Sequence, residues 1–181
     1  MKNKNSTLFF AFFLLFNSVS AQIKYKQEKV YKDKIALSVP SDWKVKENYL
    51  KFSNYEVVYN VKVGDANDMS IVTLNVYDSA FKRLKTITNE SINWVKHDKL
   101  SDPHRKVQIL DYGKAIITGK DVGYLKYTFE NNNRKRSYGI EVFFCDSNGF
   151  YYDIEIYSLD KSVDRFKKIG DSIFTSIALK Y

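Results

Sequence analysis

The sequence predicts an α+β fold: an antiparallel β-sheet with helices packed against it, arranged as an α/β/α sandwich. Three observations carry this. Beyond residue 34 most of the chain alternates apolar and polar residues at the period of a strand, broken by short polar turns. Two stretches switch to helical spacing, one in the middle of the chain and one at its end. Between two strand-like runs stands Asn148-Gly149, a dipeptide that favours the tight turn of a hairpin and so implies antiparallel neighbours.

The elements follow in order. Met1–Ala21 reads as a cleavable secretory signal: Lys2 and Lys4 are positive, Leu8–Phe16 is an uninterrupted apolar core, and Val19 and Ala21 are small residues at the positions a signal peptidase reads. The apolar run is about half the ~20 residues a spanning helix needs, so cleavage between Ala21 and Gln22 is expected. No cysteine lies near that bond, which argues against a lipoprotein anchor. Residues 22–34 form an N-terminal extension or an edge strand, and 35–181 form a single domain. Ile35, Leu37 and Val39 alternate as a strand that Pro40 ends, and Trp43 and Val45 resume an extended pattern after the Pro40-Ser41-Asp42 turn. Glu56–Val63 and Ser70–Tyr77 are two more strands, joined by the hairpin loop Gly64–Asp68.

From Ser79 to about Lys99 the alternation stops, and Phe81, Leu84, Ile87, Ser91 and Val95 fall at helical spacing. Thr88 or Asn89 is a candidate cap with Glu90 in the first turn, and Ser101-Asp102-Pro103 ends the helix. Val107–Leu110 and Lys114–Thr118 read as two strands separated by Asp111-Tyr112-Gly113. Val122–Glu130, Ser137–Cys145 and Phe150–Ser158 read as a three-strand meander. Phe166, Ile169, Ile173 and Ile177 make one apolar stripe on a closing helix.

Composition narrows the function classes. The formal charge of +8 falls to +6 once Lys2 and Lys4 leave, a mild excess spread along the chain rather than the density of a nucleic-acid binder. Cys145 is the single cysteine, so no internal disulfide is expected and the core must hold the fold. No second long apolar run follows the signal, so no transmembrane segment is expected in the mature chain.

Few residues offer chemistry. His97 and His104, with Asp98 and Asp102 between them, have the side-chain types for zinc or manganese, but not the spacing of a helical ligand pair, and Pro103 intervenes. Cys145 needs a nearby histidine to act as a nucleophile, and it sits among Phe143, Phe144 and Phe150 like a buried hydrophobe. Asp65, Asn67 and Asp68 lack the glycine and closing glutamate of a calcium loop. No phosphate-binding loop or nucleophile elbow occurs. No catalytic residue, cofactor or metal is therefore assigned. Arg134-Lys135-Arg136 is the densest charge cluster, on a loop between strands, and is the candidate contact for an anionic partner.

Four segments give the chain a family likeness: Ile35–Trp43, a strand running into Pro-x-x-Trp; Tyr124–Phe129; Gly149–Tyr152; and the closing helix from Phe166 to Ser176-Ile177. In this order they resemble the PsbP/Mog1-like superfamily, which includes DcrB-type envelope proteins, across about Ile35 to Tyr181. The resemblance implies an accessory or binding role, since the family contains a photosystem II extrinsic subunit, a partner of the small GTPase Ran and envelope proteins. The expectation is an exported, non-catalytic accessory protein, periplasmic or secreted, whose partner is a protein or envelope component. The alternative is a small exported hydrolase or metal-dependent enzyme using Cys145 or His97 and His104.

Overall fold

The computed structural model describes residues 23–48, 57–67, 69–77, 86–130, 136–148, 150–159 and 161–180. The signal segment Met1–Ala21 with Gln22, the first part of the middle helical stretch with Phe81 and Leu84, Arg134 and Lys135 lie outside the described residues.

Among the described residues ten strands and two helices follow one another: β1 Tyr25–Val30, β2 Ile35–Pro40, β3 Lys44–Asn48, β4 Val57–Gly64, β5 Ser70–Tyr77, α1 Asn89–Leu100, β6 Lys106–Ile117, β7 Lys120–Glu130, β8 Arg136–Cys145, β9 Tyr151–Ser158, α2 Val163–Ser176 and β10 Ala178–Leu179. Seven strands form one sheet in the order β3-β4-β5-β9-β8-β7-β6, and β1-β2-β10 form a small second sheet. Every neighbouring pair is antiparallel. The α+β architecture with helices packed on an antiparallel sheet is thus the one observed. No helix among the described residues is long and apolar enough to cross a membrane.

Alternation on the central strands explains why the large sheet is covered on both faces. On one face Tyr138, Ile140, Val142 and Phe144 of β8 and Tyr152, Ile154 and Ile156 of β9 meet α2 and the small sheet. The α2 stripe is Phe166, Ile169, Gly170 and Ile173, and Trp43 is buried in the same core. On the opposite face a smaller core gathers Ile87, Ile92 and Val95 with Leu125, Tyr127, Phe129, Phe143 and Tyr151 under α1.

Two turns show local chemistry at work. β6 and β7 are joined by Thr118-Gly119, both at positive φ (51° and 79°), the backbone that a two-residue hairpin of this twist demands. Tyr31, Lys32 and Asp33 all hold left-handed φ between 51° and 61° at the β1–β2 corner, which costs about 1–2 kcal/mol per residue. The corner is pinned because the Tyr31 ring packs 4.9 Å from Tyr59 and 5.6 Å from Tyr152.

Three expectations need correction. Val107–Leu110 and Lys114–Thr118 are not two strands but one, Lys106–Ile117, and Asp111-Tyr112-Gly113 is paired within it. The register shifts between Ile109 and Asp111, so Leu110 is a bulged residue. Thr118 belongs to the turn, not to the strand. Third, Ile87, expected at helical spacing, precedes the helix, which starts at Asn89 behind the expected cap position Thr88. Thr88 is the cap: its side chain accepts from the Ser91 backbone N–H while Ser91 Oγ accepts from the Thr88 N–H.

Candidate docking site at α1 and the sheet edge

Helix α1 is a poor hydrophobic anchor. It buries only Ser91, Ile92 and Val95, and leaves Trp94 and Leu100 about half exposed. An ionic tether does what the apolar face cannot. Lys99, in the last turn, reaches to the sheet and places Nζ 2.8 Å from Glu155 Oε1 of β9 and 2.9 Å from Glu141 Oε2 of β8. The second contact is an ion pair. Tyr127 of β7 donates its hydroxyl to Glu155 at 2.6 Å, and Arg105, just before β6, brings NH1 to 3.6 Å.

The register explains why these groups meet. Glu141 stands directly opposite Glu155, and Phe143 opposite Asp153, so three carboxylates crowd the α1 face of two adjacent strands. Burial opposes the charge of Glu155, but Lys99, Tyr127 and Arg105 outweigh it and hold its carboxyl below the usual range. Burial raises Glu141 and the charge of Glu155 adds to it, against Lys99. Burial would likewise lower the Lys99 ammonium, yet Tyr127 and the surrounding carboxylates keep it well above the usual lysine range.

Asp153 is the extreme case. Its Oδ1 has no hydrogen-bond partner, and burial, then Glu141 and Glu155, push its carboxyl well above the ordinary value against the pull of Lys99 and Asn75. A carboxyl whose folded pKa is raised contributes fully below its unfolded value of about 3.9 and loses stability as pH rises. Asp153→Asn is therefore expected to be more stable than wild type at pH 8, by on the order of 1 kcal/mol or about 2–4 °C in Tm, and no better at pH 3.5. Thermal unfolding at the two pH values checks this; no gain at pH 8 would refute it.

With α1 held in place, a groove of about 540 Å³ opens between it and β6, lined by Lys96, Leu100, Ile109, Leu110 and Tyr112 among others. Lys96 Nζ lies 3.9 Å from the Tyr112 ring centre. Leu110 and Tyr112 are close to half exposed and Ile116 is 74% exposed, so the groove continues into an apolar strip along the outermost strand. Single exposed apolar side chains are ordinary; Leu100, Leu110, Tyr112 and Ile116 together on two adjacent elements make a candidate interaction surface.

The residues singled out in the sequence fare differently. His97 and His104 are both exposed, and the His104 backbone N–H donates to Asp102 Oδ1 at 2.8 Å. Among the described residues no three His, Cys, Asp or Glu side chains are disposed to hold a metal ion; at the carboxylate cluster the Lys99 ammonium occupies the centre. Cys145 is half-buried at the end of β8, and burial pushes its thiol up to about 11, away from the thiolate a nucleophile needs. Asp65 closes its hairpin by accepting from the Met69 N–H and pairing with Lys161. Arg136 is exposed but spans three strands, donating to Thr128 Oγ1 at 3.2 Å and Gln108 Oε1 at 2.6 Å.

Sequence reasoning missed Lys99, Glu141, Asp153, Glu155 and the apolar strip. Like charges directly opposite each other demand a nearby cation, but the two-residue turn that Asn148-Gly149 favours would have set Glu141 against Ile156, whereas the observed register sets it against Glu155.

No protein-family model and no curated protein matches the chain. Solved structures do. Cyanobacterial PsbP (CyanoP) from Synechocystis superposes with a TM-score of 0.56 at 13% identity, covering 87% of this chain and 93% of that one. LpqN, involved in cell envelope biogenesis of Mycobacterium tuberculosis, gives 0.51 at 16% identity over 88% and 92%. The Saccharomyces cerevisiae Ran-binding protein Mog1p gives 0.52 at 7% identity over 87% and 96%. Three proteins of unlike roles thus share this arrangement of strands and helices at identities that speak for architecture alone, and the chain has the PsbP/Mog1-like fold.

Proposed function

We propose that the protein is an exported, non-catalytic accessory protein of the cell envelope or extracellular space that docks a partner protein on the surface formed by α1 and β6. The observation that carries this is the strip Leu100, Leu110, Tyr112 and Ile116, which a protein with no partner has no reason to leave in water. The neighbouring folds support an accessory role, since one is a Ran-binding protein and another serves envelope biogenesis. The cationic loop Arg134-Lys135-Arg136 is kept as a second, anionic contact of the same partner.

The test is affinity purification of the tagged protein from its own cells, with three chains compared: wild type, Leu110→Ser/Ile116→Ser, and Arg134→Glu/Lys135→Glu/Arg136→Glu. N-terminal sequencing of the recovered protein should begin at Gln22, and one stoichiometric partner should be lost from the double mutant. A partner retained by the double mutant, or a chain still carrying Met1, would sink the corresponding half of the reading.

A further inference from the structure

The two edges of the large sheet are built oppositely. β3, at one end, has five residues, and its sequence Lys-Val-Lys-Glu-Asn is the short, charged kind of edge that resists added strands. β6, at the other end, has twelve residues, no proline, and large apolar side chains in water at Leu110, Tyr112 and Ile116. Among the described residues its hydrogen-bond ladder is made with β7 alone, so alternate residues present N–H and C=O groups outward. An edge of this kind is a template for another strand.

We infer that the Asp111–Ile117 half of β6 receives an extended acidic segment of the partner, which joins the sheet as an eighth strand; this rests on the docking reading above. The bulge at Leu110 sets the length available, because regular pairing restarts at Asp111. The register sets the pattern. Tyr112, Lys114 and Ile116 oppose Leu125, Gly123 and Asp121 of β7, and Leu125 and Gly123 lie on the α1 face, so all three point to that side. Gly113 and Ala115, on the other side, are small.

A strand laid alongside therefore meets apolar, cationic and apolar neighbours in turn, and its matching sequence is apolar-x-acidic-x-apolar. Charge supports the middle choice. Lys114 makes no ion pair with any described residue, and Lys96 sits over Tyr112 beside it. The acid of this stretch, Asp111, already accepts a hydrogen bond from the Tyr124 hydroxyl. Peptide capture of this type takes affinity from the main chain and specificity from alternate side chains.

The probe is a blocked heptapeptide, Thr-Val-Thr-Glu-Thr-Val-Thr, compared with its counterpart carrying Lys in place of Glu. Backbone amide exchange of the mature protein is followed by NMR at low salt. The glutamate peptide should slow exchange at alternate amides of Asp111–Ile117 by about tenfold or more at saturation, and bind about fivefold tighter than the lysine peptide. Lys114→Glu should reverse that preference. Unchanged β6 amides, equal response to both peptides, or doubling of the protein's mass through β6 that Ile116→Lys abolishes would each overturn the inference. If Leu110→Ser/Ile116→Ser loses the native partner while that partner leaves β6 amides unprotected, docking stands and strand addition fails. If the partner still binds the double mutant, the docking reading itself has failed.

Discussion

Lys99→Met lowers the unfolding free energy by about 3–5 kcal/mol at pH 7.5, because it leaves Glu141 buried without its cation and Glu155 with only the more distant Arg105. In the wild type the ammonium is held above its usual range, so its contribution is complete through neutral pH and fades only in strong alkali. The mutant reverses the dependence. Two carboxyls with raised folded pKa contribute fully below about 4.3 and lose stability as pH climbs. Urea denaturation at pH 4 and pH 7.5 should show a small deficit at the first and the full one at the second. Adding Glu141→Gln and Glu155→Gln should recover most of the loss, since neutral groups no longer need the ammonium. A deficit equal at both pH values, or below about 1 kcal/mol, would mean the tether does not hold α1. Because α1 forms one wall of the groove, Lys99→Met should also weaken partner capture without touching an exposed residue.

Gly139→Ala costs about 1–3 kcal/mol, a loss by overpacking rather than by backbone strain. Gly139 faces Tyr127 across the β7–β8 pair, and a Cβ there would stand 2.6 Å from Tyr127 Cζ. The ring has nowhere to go: it is fully buried, and its hydroxyl is committed to Glu155 at 2.6 Å. Crowding at Gly139 thus reaches the carboxylate cluster through one ring. In a double-mutant cycle with Tyr127→Leu, the alanine should become nearly free, giving a coupling of about 0.5 kcal/mol or more, on the order seen for residues in contact. Additive losses, or a single mutant within about 0.5 kcal/mol of wild type, would show that the ring yields cheaply.

The meander β7-β8-β9 was legible as three runs rich in aromatic and β-branched residues bounded by polar turns, and α2 as apolar residues recurring on one helix face. The candidate site broke those rules in three ways. Glu141, Asp153 and Glu155 occupy alternate positions that normally mean a wet face, yet α1 and its core cover that face. Helix α1 shows few apolar residues at the right spacing because a lysine does part of its docking. Strand β6 looked like two pieces because its alternation changes phase at Leu110. The Arg136 end of the basic loop was visible as charge, but its bonds to Thr128 and Gln108 depend on strand order, which no local pattern encodes.

That phase change has a consequence for how the chain can vary over time. Before Leu110, Val107 and Ile109 serve the small core under α1; after it, Ala115 and Ile117 serve the large core on the other side. One surplus residue lets a single ribbon contribute to both. A substitution at the exposed Leu110 leaves both cores intact, but a deletion or insertion there would invert every position from Asp111 to Ile117 and expose what either core needs. The cores depend on the existence of that residue and not on its side chain, so among descendants of this chain the length of β6 should be kept even where docking no longer constrains its composition.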